Sequence, residues 1–341
     1  MKVGTSVWDS KEDEEPKKDL GEVYEHMNET YKRVIEEAGK VVVGQRDVIE
    51  QILIAIFSDN HALIEGFPGL GKTLMVKTLS QVMNLSFGRI QCTPDLMPSD
   101  ITGTYIVEED AGGRKKFRFE KGPVFTNILL ADEINRATPK AQSALLESMQ
   151  ERQVTMGLET HLLEKPFLVL ATQNPIEMEG TYPLPEAQVD RFLLKIIVDY
   201  PELADEQKIM DRYTIESLPS VNRVIDKDVI LSIQELTRKM PISTEVRDYA
   251  LNIVSATRPG PKKATATKYL DFGASPRASI GLVLGSKARA LINGRNFVSK
   301  KDVEAMAFPI LRHRVILNFE SERKGMVTDD IIEEILEGVE A

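Results

Sequence analysis

The stretch Gly66-Phe67-Pro68-Gly69-Leu70-Gly71-Lys72-Thr73 decides the fold of this chain. It fits the pattern G-x-x-x-x-G-K-[ST], and it lies between the apolar run Ala62-Leu63-Ile64 and a helical pattern that begins at Leu74. A strand, a glycine-rich loop and a helix in this order are typical of a P-loop, where backbone N–H groups and the positive end of the helix dipole converge on phosphate oxygens. The sequence therefore predicts a phosphate-binding loop here.

The polar residues of this loop have predicted roles. We expect Lys72 to reach the β- and γ-phosphates of a nucleotide, and the hydroxyl of Thr73 to serve a Mg²⁺ ion, which prefers oxygen ligands. The alternative is an ordinary glycine-rich turn, but such a turn has no need of a strand before it and a helix after it. The predicted nucleotide-contacting residues of the loop are Pro68, Gly69, Leu70, Gly71, Lys72, Thr73 and Leu74.

Composition is that of a soluble globular protein. The chain has 341 residues, of which 42% are hydrophobic and 28% charged, so it is long enough for two domains. No apolar run approaches the roughly 18 to 20 residues of a membrane span, and the N-terminus has no pattern of a signal peptide. We therefore predict a cytoplasmic protein without membrane insertion.

The cysteine and histidine content and the net charge argue against further classes of protein. Cys92 is the single cysteine, so no internal disulfide is possible, and the four histidines have no metal-ligand spacing. The net charge of −10 argues against a broad nucleic-acid footprint, which needs clustered lysine and arginine. No structural zinc is expected, and nucleic acid is not the expected partner.

Three regions follow from the pattern along the chain. Residues 1–20 are dominated by charge and are predicted to be a flexible tail. Residues 21–200 contain five apolar strands separated by helices, which predicts a doubly wound α/β parallel sheet, with two inserted β-hairpins near residues 105–119 and 153–163. Residues 201–341 have no convincing strand, so an all-helical second domain is predicted, with a long polar loop at 258–275.

Two carboxylates follow the third of these strands. Asp132 and Glu133 end the apolar run that starts at residue 127, which is the outline of a Walker B motif. Asp132 is placed to hold the Mg²⁺ shell and Glu133 to activate a water molecule. Asn174, at the end of the next strand, could hydrogen-bond the same water, although asparagine before proline is also an ordinary turn signal.

Five sequence blocks resemble the MoxR family of the AAA+ ATPases, in the order of that family. The resemblance runs from about Tyr31 to Gly338 and includes the two hairpins, which look like the family's helix-2 and pre-sensor-1 inserts. The blocks are Gly-Phe-Pro-Gly-Leu-Gly-Lys-Thr, Leu-Ala-Asp-Glu-Ile-Asn-Arg-Ala, Ala-Thr-Gln-Asn-Pro, Glu-Ala-Gln-Val-Asp-Arg-Phe and Ser-Pro-Arg-Ala.

The resemblance implies roles that the composition and the spacing do not give. It implies that Gly44 and Gln45 lie beside the adenine of ATP, that Asn174 is sensor 1, Arg191 the arginine finger and Arg277 sensor 2. Together with Lys72 and Glu133, the last three are the predicted catalytic residues. It also implies a lid domain at the C-terminus, a homo-oligomeric ring, expected to be a hexamer, and protein partners that carry von Willebrand factor A domains.

Several of these residues have plainer interpretations. Arg191 could form a local surface ion pair with Asp190, and Arg277 could act on the nucleotide of its own subunit or of a neighbour. The role of Arg136 stays open. The alternating basic and aromatic residues at 115–119 could grip a nucleic acid or an acidic polypeptide, or could be a solvated hairpin edge.

The resulting prediction is an oligomeric, Mg²⁺-dependent ATPase that remodels protein partners in the manner of a chaperone. The main alternative is a nucleic-acid motor or loader on the same fold, which a DNA-stimulated activity with a steep salt dependence would favour. A third is a nucleotide-gated scaffold, which would bind ATP tightly with almost no turnover.

Overall fold

The computed structural model describes residues 20–109, 114–157, 159–175, 181–214, 219–261 and 263–339. The first 19 residues, most of the predicted tail, lie outside this range, as do residues 110–113 of the first predicted hairpin. The strands are β1 Ala62–Gly66, β2 Phe87–Gln91, β3 Gly103–Glu109, β4 Lys115–Lys121, β5 Ile128–Asp132, β6 Gln153–Met156, β7 Glu159–Leu162, β8 Leu168–Gln173, β9 Leu194–Val198, β10 Leu270–Phe272 and β11 Ile316–Leu317. The α-helices are α1 Leu20–Gly39, α2 Arg46–Phe57, α3 Lys72–Val82, α4 Pro98–Thr102, α5 Pro139–Glu151, α6 Glu186–Val189, α7 Leu203–Tyr213, α8 Lys227–Lys239, α9 Thr244–Ala256, α10 Ala264–Tyr269, α11 Pro276–Ile292, α12 Lys300–Leu311, α13 Phe319–Arg323 and α14 Thr328–Gly338. Among the helices in this range, none is long and apolar enough to cross a membrane.

Five parallel strands form the central sheet in the order β2-β5-β8-β1-β9. The chain leaves β1 for the far edge at β2, returns through β5 and β8, and then places β9 on the other side of β1. This is the predicted doubly wound sheet. The strand order reverses beside β1, and ligands of such sheets bind at the carboxyl ends of the strands near that point.

Side chains of successive residues point to opposite faces of this sheet and belong to two different cores. On β1, Ile64 packs into the core that includes α2 and α3, whereas Leu63 packs into the core that includes α5. On β5, Leu130 and Leu129 divide in the same way. Both faces are therefore covered, which is why the strands are continuous apolar runs in the sequence.

The two predicted hairpins are present, and they contact each other. β3 pairs with β4, and β6 pairs with β7. The rings of Phe119 and His161 stack with centroids 4.3 Å apart, and the Tyr105 hydroxyl donates to Glu159 Oε2 at 3.0 Å. The two inserts thus pack against each other.

The C-terminal region is helical, with one addition that the sequence did not predict. β10 and β11 form a small antiparallel sheet, and the region expected to be a loop at 258–275 contains α10 and β10. Both strands are two or three residues long, too short for a period-2 pattern to be seen.

The helices of this region share a core with one face of the sheet. Leu282 of α11 and Ile310 of α12 belong to the same buried cluster as Ile64 of β1. The lid is therefore packed against the sheet by apolar contacts. The boundary between the two domains near residue 200 stays a prediction.

Candidate functional site

The P-loop joins the last residue of β1 to the first residue of α3. Gly69 and Gly71 have φ angles of 86° and 73°, a left-handed region that favours glycine, and no atom lies within 4 Å of the position where either would carry a Cβ. Gly66 is required for a different reason, because a Cβ there would lie 2.6 Å from the carbonyl oxygen of Val198. The loop is thus shaped by its backbone and leaves an open cradle on its inner side.

Lys72 points back into this loop. Its Nζ donates to the carbonyl oxygens of Gly66 and of Phe67, the latter at 2.8 Å. Burial lowers the pKa of Lys72, and the nearby carboxylates of Asp132 and Glu133 oppose this shift. The ammonium group therefore lies between the loop and the carboxylates at the end of β5.

Asp132 is the most heavily engaged carboxylate of the site. Its Oδ1 accepts from the Thr172 hydroxyl at 2.6 Å, and its Oδ2 accepts from Arg89 Nη2 at 2.7 Å. The Thr73 hydroxyl lies 3.4 Å from Oδ2. One hydroxyl and one carboxylate at this separation are oxygen donors of the kind that Mg²⁺ accepts from proteins while it keeps several waters.

Glu133 adopts a left-handed backbone conformation, with a φ angle of 57°. Such residues are uncommon outside glycine and asparagine and cluster at functional sites. The strained position is fixed by the Glu133 N–H, which donates to the Thr172 hydroxyl at 2.8 Å. The side chain accepts from Arg136 Nη1 at 3.0 Å and from Gln91 Nε2 at 3.4 Å. Arg136, whose role the sequence left open, thus holds Glu133.

These residues line one cavity of about 420 Å³, which we call the phosphate cleft. Asn174 also lines it, as the sequence predicted. Arg89, Gln91 and Thr172 were missed, although polar residues at the carboxyl ends of β2 and β8 are the signal that could have found them. Its lining residues are Pro68, Gly69, Leu70, Gly71, Lys72, Thr73, Leu74, Arg89, Gln91, Asp132, Glu133, Thr172, Gln173 and Asn174.

A second cavity, about 260 Å³ and mostly apolar, continues from the first because Gly69, Leu70, Gly71 and Leu74 line both. Its other walls come from Val41 to Val43, Gln45 and α7. Gln45 lines it and donates through Nε2 to the carbonyl of Asp199 at 3.1 Å. Gly44 has a φ angle of 73° and touches α7 so closely that a Cβ would lie 2.7 Å from Asp205 Oδ2. Gly44 is thus not a lining residue of this cavity, and its lack of a Cβ lets α7 pack beside it.

Arg191 and Arg277 line a third cavity, about 280 Å³, which we call the arginine cleft. Asp190 also lines it, with Oδ2 at 3.5 Å from Arg277 Nη1. The arginine cleft is also lined by Asn60 and His61, which precede β1, and by no residue of the P-loop. It lies at the amino end of β1, whereas the phosphate cleft lies at the carboxyl end.

His61 is a structural residue of this end of the sheet. Its Nε2 lies 3.0 Å from the Met149 carbonyl, and its Nδ1 accepts from the Val169 N–H at 2.9 Å. Burial lowers the pKa of His61 to about 4, so the ring is neutral, with its proton on Nε2. It joins β1 to α5 and β8.

The basic and aromatic residues of β4 do not form a continuous basic face. Arg118 is paired with Glu108 at 3.2 Å and with Glu120 at 2.8 Å, and its side chain is about half exposed. Phe117, on the other face of the strand, is 73% exposed. This favours a charge-balanced hairpin over a strand that grips nucleic acid.

A five-stranded parallel sheet with a P-loop after its first strand and a Walker B motif after its third defines a P-loop nucleotide-binding protein. Comparison with known proteins identifies the family. Residues 61–194 match the profile of the ATPase family associated with various cellular activities, and residues 262–335 match that of the AAA lid domain.

Two named relatives and one solved structure are similar over most of the chain. The chain is 43% identical to Chaperone MoxR1 of Mycobacterium tuberculosis, over 91% of this chain and 82% of that protein. It is 32% identical to Protein MoxR of Methylorubrum extorquens, over 89% of this chain and 93% of that protein. A crystal structure of a candidate ATPase from Cytophaga hutchinsonii is 46% identical and has a TM-score of 0.88, covering 94% of this chain and 97% of the other. The chain belongs to the MoxR family of AAA+ ATPases.

Proposed function

We propose that this protein hydrolyses ATP with Mg²⁺ in a ring of identical subunits, expected to be a hexamer, and uses the energy to remodel protein partners. One observation carries the proposal: the phosphate cleft and the arginine cleft lie at opposite ends of β1. Five residues at about 3.3 Å per residue separate the two by roughly 17 Å. An arginine in one cleft cannot reach a phosphate in the other, so the site becomes complete only when a second subunit supplies its arginines.

The residues of the phosphate cleft fit ATP and Mg²⁺. The backbone of Gly69 to Leu74 would offer N–H groups to the phosphates, and Lys72 would turn from the carbonyls of Gly66 and Phe67 to the β- and γ-phosphates. Thr73 and Asp132 would hold the metal ion, which neutralises the charge that develops on the phosphates. The adjoining apolar cavity beside Gln45 would take the base.

Glu133 would orient and deprotonate the attacking water, a contribution of about 10² to 10⁴ in rate for general-base catalysis. Asn174 would hold the same water from the end of β8. Before this, Glu133 has to exchange its contacts with Arg136 and Gln91 for the water. The present contacts therefore describe a resting site.

Arg191 and Arg277 would both act in trans, because both line the arginine cleft. A guanidinium that donates to the γ-phosphate stabilises charge that grows in the transition state, an effect of about 10³ to 10⁵ in rate for arginine fingers. Arg191 Nη1 makes a long contact with the Leu146 carbonyl at 3.5 Å, and the buried Nε has no hydrogen-bond acceptor among the described residues. A guanidinium held this weakly would be able to turn toward an anion at the cleft mouth.

Protein partners are proposed on the name of the relative Chaperone MoxR1 and on the resemblance of the family, which includes partners with von Willebrand factor A domains. The paired hairpins are the proposed contact surface. Val107 and Phe117 face each other across β3 and β4 and are 55% and 73% exposed. An apolar pair at the outer end of a hairpin suits a polypeptide.

The test mixes two inactive variants. Arg191→Ala keeps its P-loop and lacks the arginine, while Lys72→Ala lacks the P-loop cation and keeps Arg191. Each alone is expected to be nearly inactive, and the mixture to regain part of the activity, because an interface can pair the intact P-loop of one with the intact arginine of the other. The measurement is ATP turnover as a function of the mixing ratio, with subunit exchange followed by native mass spectrometry.

Two results would contradict the ring with arginines in trans. One is exchange of subunits without recovery of turnover at any ratio. The other is a dilute monomer that hydrolyses ATP at the full rate. Mixing Arg191→Ala with Arg277→Ala is the matched control. Both substitutions remove an arginine from the side of the interface that faces the neighbour's P-loop, so every interface in the mixture lacks one of the two arginines. Turnover is therefore not expected to return.

A further inference from the structure

Asp190 is the point where three separate segments meet in the arginine cleft. Its Oδ1 accepts from Arg314 Nε at 2.7 Å, and its Oδ2 accepts from the Ser275 hydroxyl at 3.0 Å. Arg277 Nη1 lies 3.5 Å from the same Oδ2. One carboxylate thus touches the residue before α11, the second residue of α11 and a residue between α12 and β11.

Arg314 holds the backbone on both sides of Arg191. Its side chain is 3% exposed, and besides Asp190 Oδ1 it donates to the carbonyl of Asp190 at 3.1 Å, of Phe192 at 2.5 Å and of Leu193 at 2.9 Å. The remaining N–H donates to the carbonyl of Ile310, so all five donors of the guanidinium have acceptors. Arg314 therefore has no free N–H for a ligand, and its effect is to fix the segment that carries Arg191.

Ser275 connects the Asp190 carboxylate to the backbone of Arg277 by hydrogen bonds. The Ser275 hydroxyl caps α11, because it accepts from the Arg277 N–H at 3.2 Å, and it donates to Asp190. Arg277 has its side chain 51% exposed, at the start of a helix where a cation is electrostatically disfavoured. Asp190 offsets this cost and sets the position of the helix end.

The cleft as a whole carries an excess of positive charge. Arg152, Arg191, Arg277 and Arg314 line it together with the two carboxylates of Asp59 and Asp190. Burial lowers the pKa of Arg314, Asp190 opposes the shift, and the neighbouring Arg277 lowers it further. Such a cluster suits an anion with more than one charge, brought to the cleft mouth by another molecule.

We propose that Asp190 and Arg314 are positioning residues that orient Arg191 and Arg277 as one unit toward the γ-phosphate bound by the neighbouring subunit. The inference rests on the proposed function, in which these arginines act in trans. A buried ion pair that only stabilised the fold would affect folding and not the geometry of a neighbour's active site. The two possibilities give different results when variants are mixed.

The first variant is Asp190→Asn, which keeps the shape of the side chain and loses its charge. We expect kcat to fall about 10- to 100-fold with little change in KM for ATP, because the variant's own P-loop is intact and a displacement of about 1 Å of a reacting group can cost about 10²-fold. Mixing with Lys72→Ala is expected to restore turnover, since that partner supplies correctly held arginines. Mixing with Arg191→Ala is expected to restore none.

The matched control is Asp302→Asn. Asp302 is a fully buried carboxylate of the lid, with Oδ1 2.8 Å from Arg289 Nη1 and Oδ2 2.6 Å from Arg295 Nη1, and it does not line the arginine cleft. It is expected to lower the unfolding temperature while kcat stays unchanged below that temperature. Where Asp190→Asn does not fold, Arg314→Lys carries the same test, because lysine keeps the charge and loses the planar set of donors.

The proposal is overturned if Asp190→Asn keeps its full kcat, or if it loses kcat and Lys72→Ala does not restore it although the same partner restores Arg191→Ala. The proposed function fails in a different way, when Lys72→Ala does not restore Arg191→Ala itself. Failure of Lys72→Ala to restore Arg191→Ala contradicts both proposals. The two results for Asp190→Asn contradict only the positioning roles of Asp190 and Arg314 and leave the proposed ring in place.

Discussion

The phosphate cleft and the arginine cleft differ in how their charged groups are satisfied. In the phosphate cleft both carboxylates are held by arginines of their own subunit, Asp132 by Arg89 and Glu133 by Arg136. In the arginine cleft one of the two carboxylates, Asp190, serves two arginines, and Arg191 keeps a buried donor without an acceptor in the described residues. We therefore expect the first cleft to release contacts before it acts, whereas Arg191 in the second cleft has a donor that no described residue occupies.

Under the proposed function, this difference gives the two clefts separate tasks. Binding of the nucleotide would depend on the P-loop, which one chain provides in full. Turnover would depend on groups that the same chain carries at the other end of the sheet. Variants of the first cleft should therefore change affinity, or turnover within one subunit, and variants of the second should change turnover through the neighbour.

The largest effect is expected for Lys72→Ala. The substitution removes the cation that faces the β- and γ-phosphates, so ATP affinity should fall at least tenfold and turnover should fall by about 10³-fold or more, the scale for loss of one preorganised group at a developing charge. Equilibrium binding of a fluorescent ATP analogue and phosphate release measure the two. Turnover at the unmodified rate would show that the P-loop is not the site.

The next effect is expected for Glu133→Gln. The amide keeps the shape and cannot accept the proton of water, so kcat should fall by about 10² to 10⁴ while ATP affinity stays close to that of the unmodified protein. Single-turnover hydrolysis and equilibrium binding separate these quantities. An equal loss of kcat and of ATP affinity would instead assign Glu133 to nucleotide binding. The phosphate cleft would then have no separate residue for activating water.

The smallest effect is expected for Arg89→Met. Arg89 occupies Asp132 Oδ2, which the metal ion would need, but its side chain is 45% exposed, so the contact is worth no more than about 1 kcal/mol. Removing it should lower the Mg²⁺ concentration needed for nucleotide binding, up to about fivefold. A Mg²⁺ titration of nucleotide binding measures this. Arg118→Met, on the hairpin, is the control and should change nothing.

A weaker requirement for Mg²⁺ in Arg89→Met would sharpen the description of the phosphate cleft as a resting site. A stronger requirement would instead mean that Arg89 helps to hold the phosphates. In that case the cleft would not need to release its arginine before binding, and the contrast with the arginine cleft would be smaller.

Local patterns were sufficient for most of the fold and for the core of the first cleft. The five strands of the central sheet and the helices between them were predicted from the pattern of residues 21–200. These elements are long or strongly apolar, and the glycines of the P-loop have a local reason, the positive φ angles at Gly69 and Gly71. The contacts of Arg89 and Gln91 were missed because they depend on which strands are neighbours.

The sequence by itself determined that the P-loop, Asp132, Glu133 and Asn174 belong to the phosphate cleft, because these residues lie at the ends of strands whose apolar pattern can be read along the chain. Only the tertiary structure decided the arginine cleft. Asp190 meets Ser275 across 85 residues of chain and Arg314 across 124, and Arg191 and Arg277 share that cleft at the end of β1 away from the P-loop. The acceptor that a buried arginine finds is set by how helices of the lid pack on one face of the sheet, and no local pattern encodes that packing.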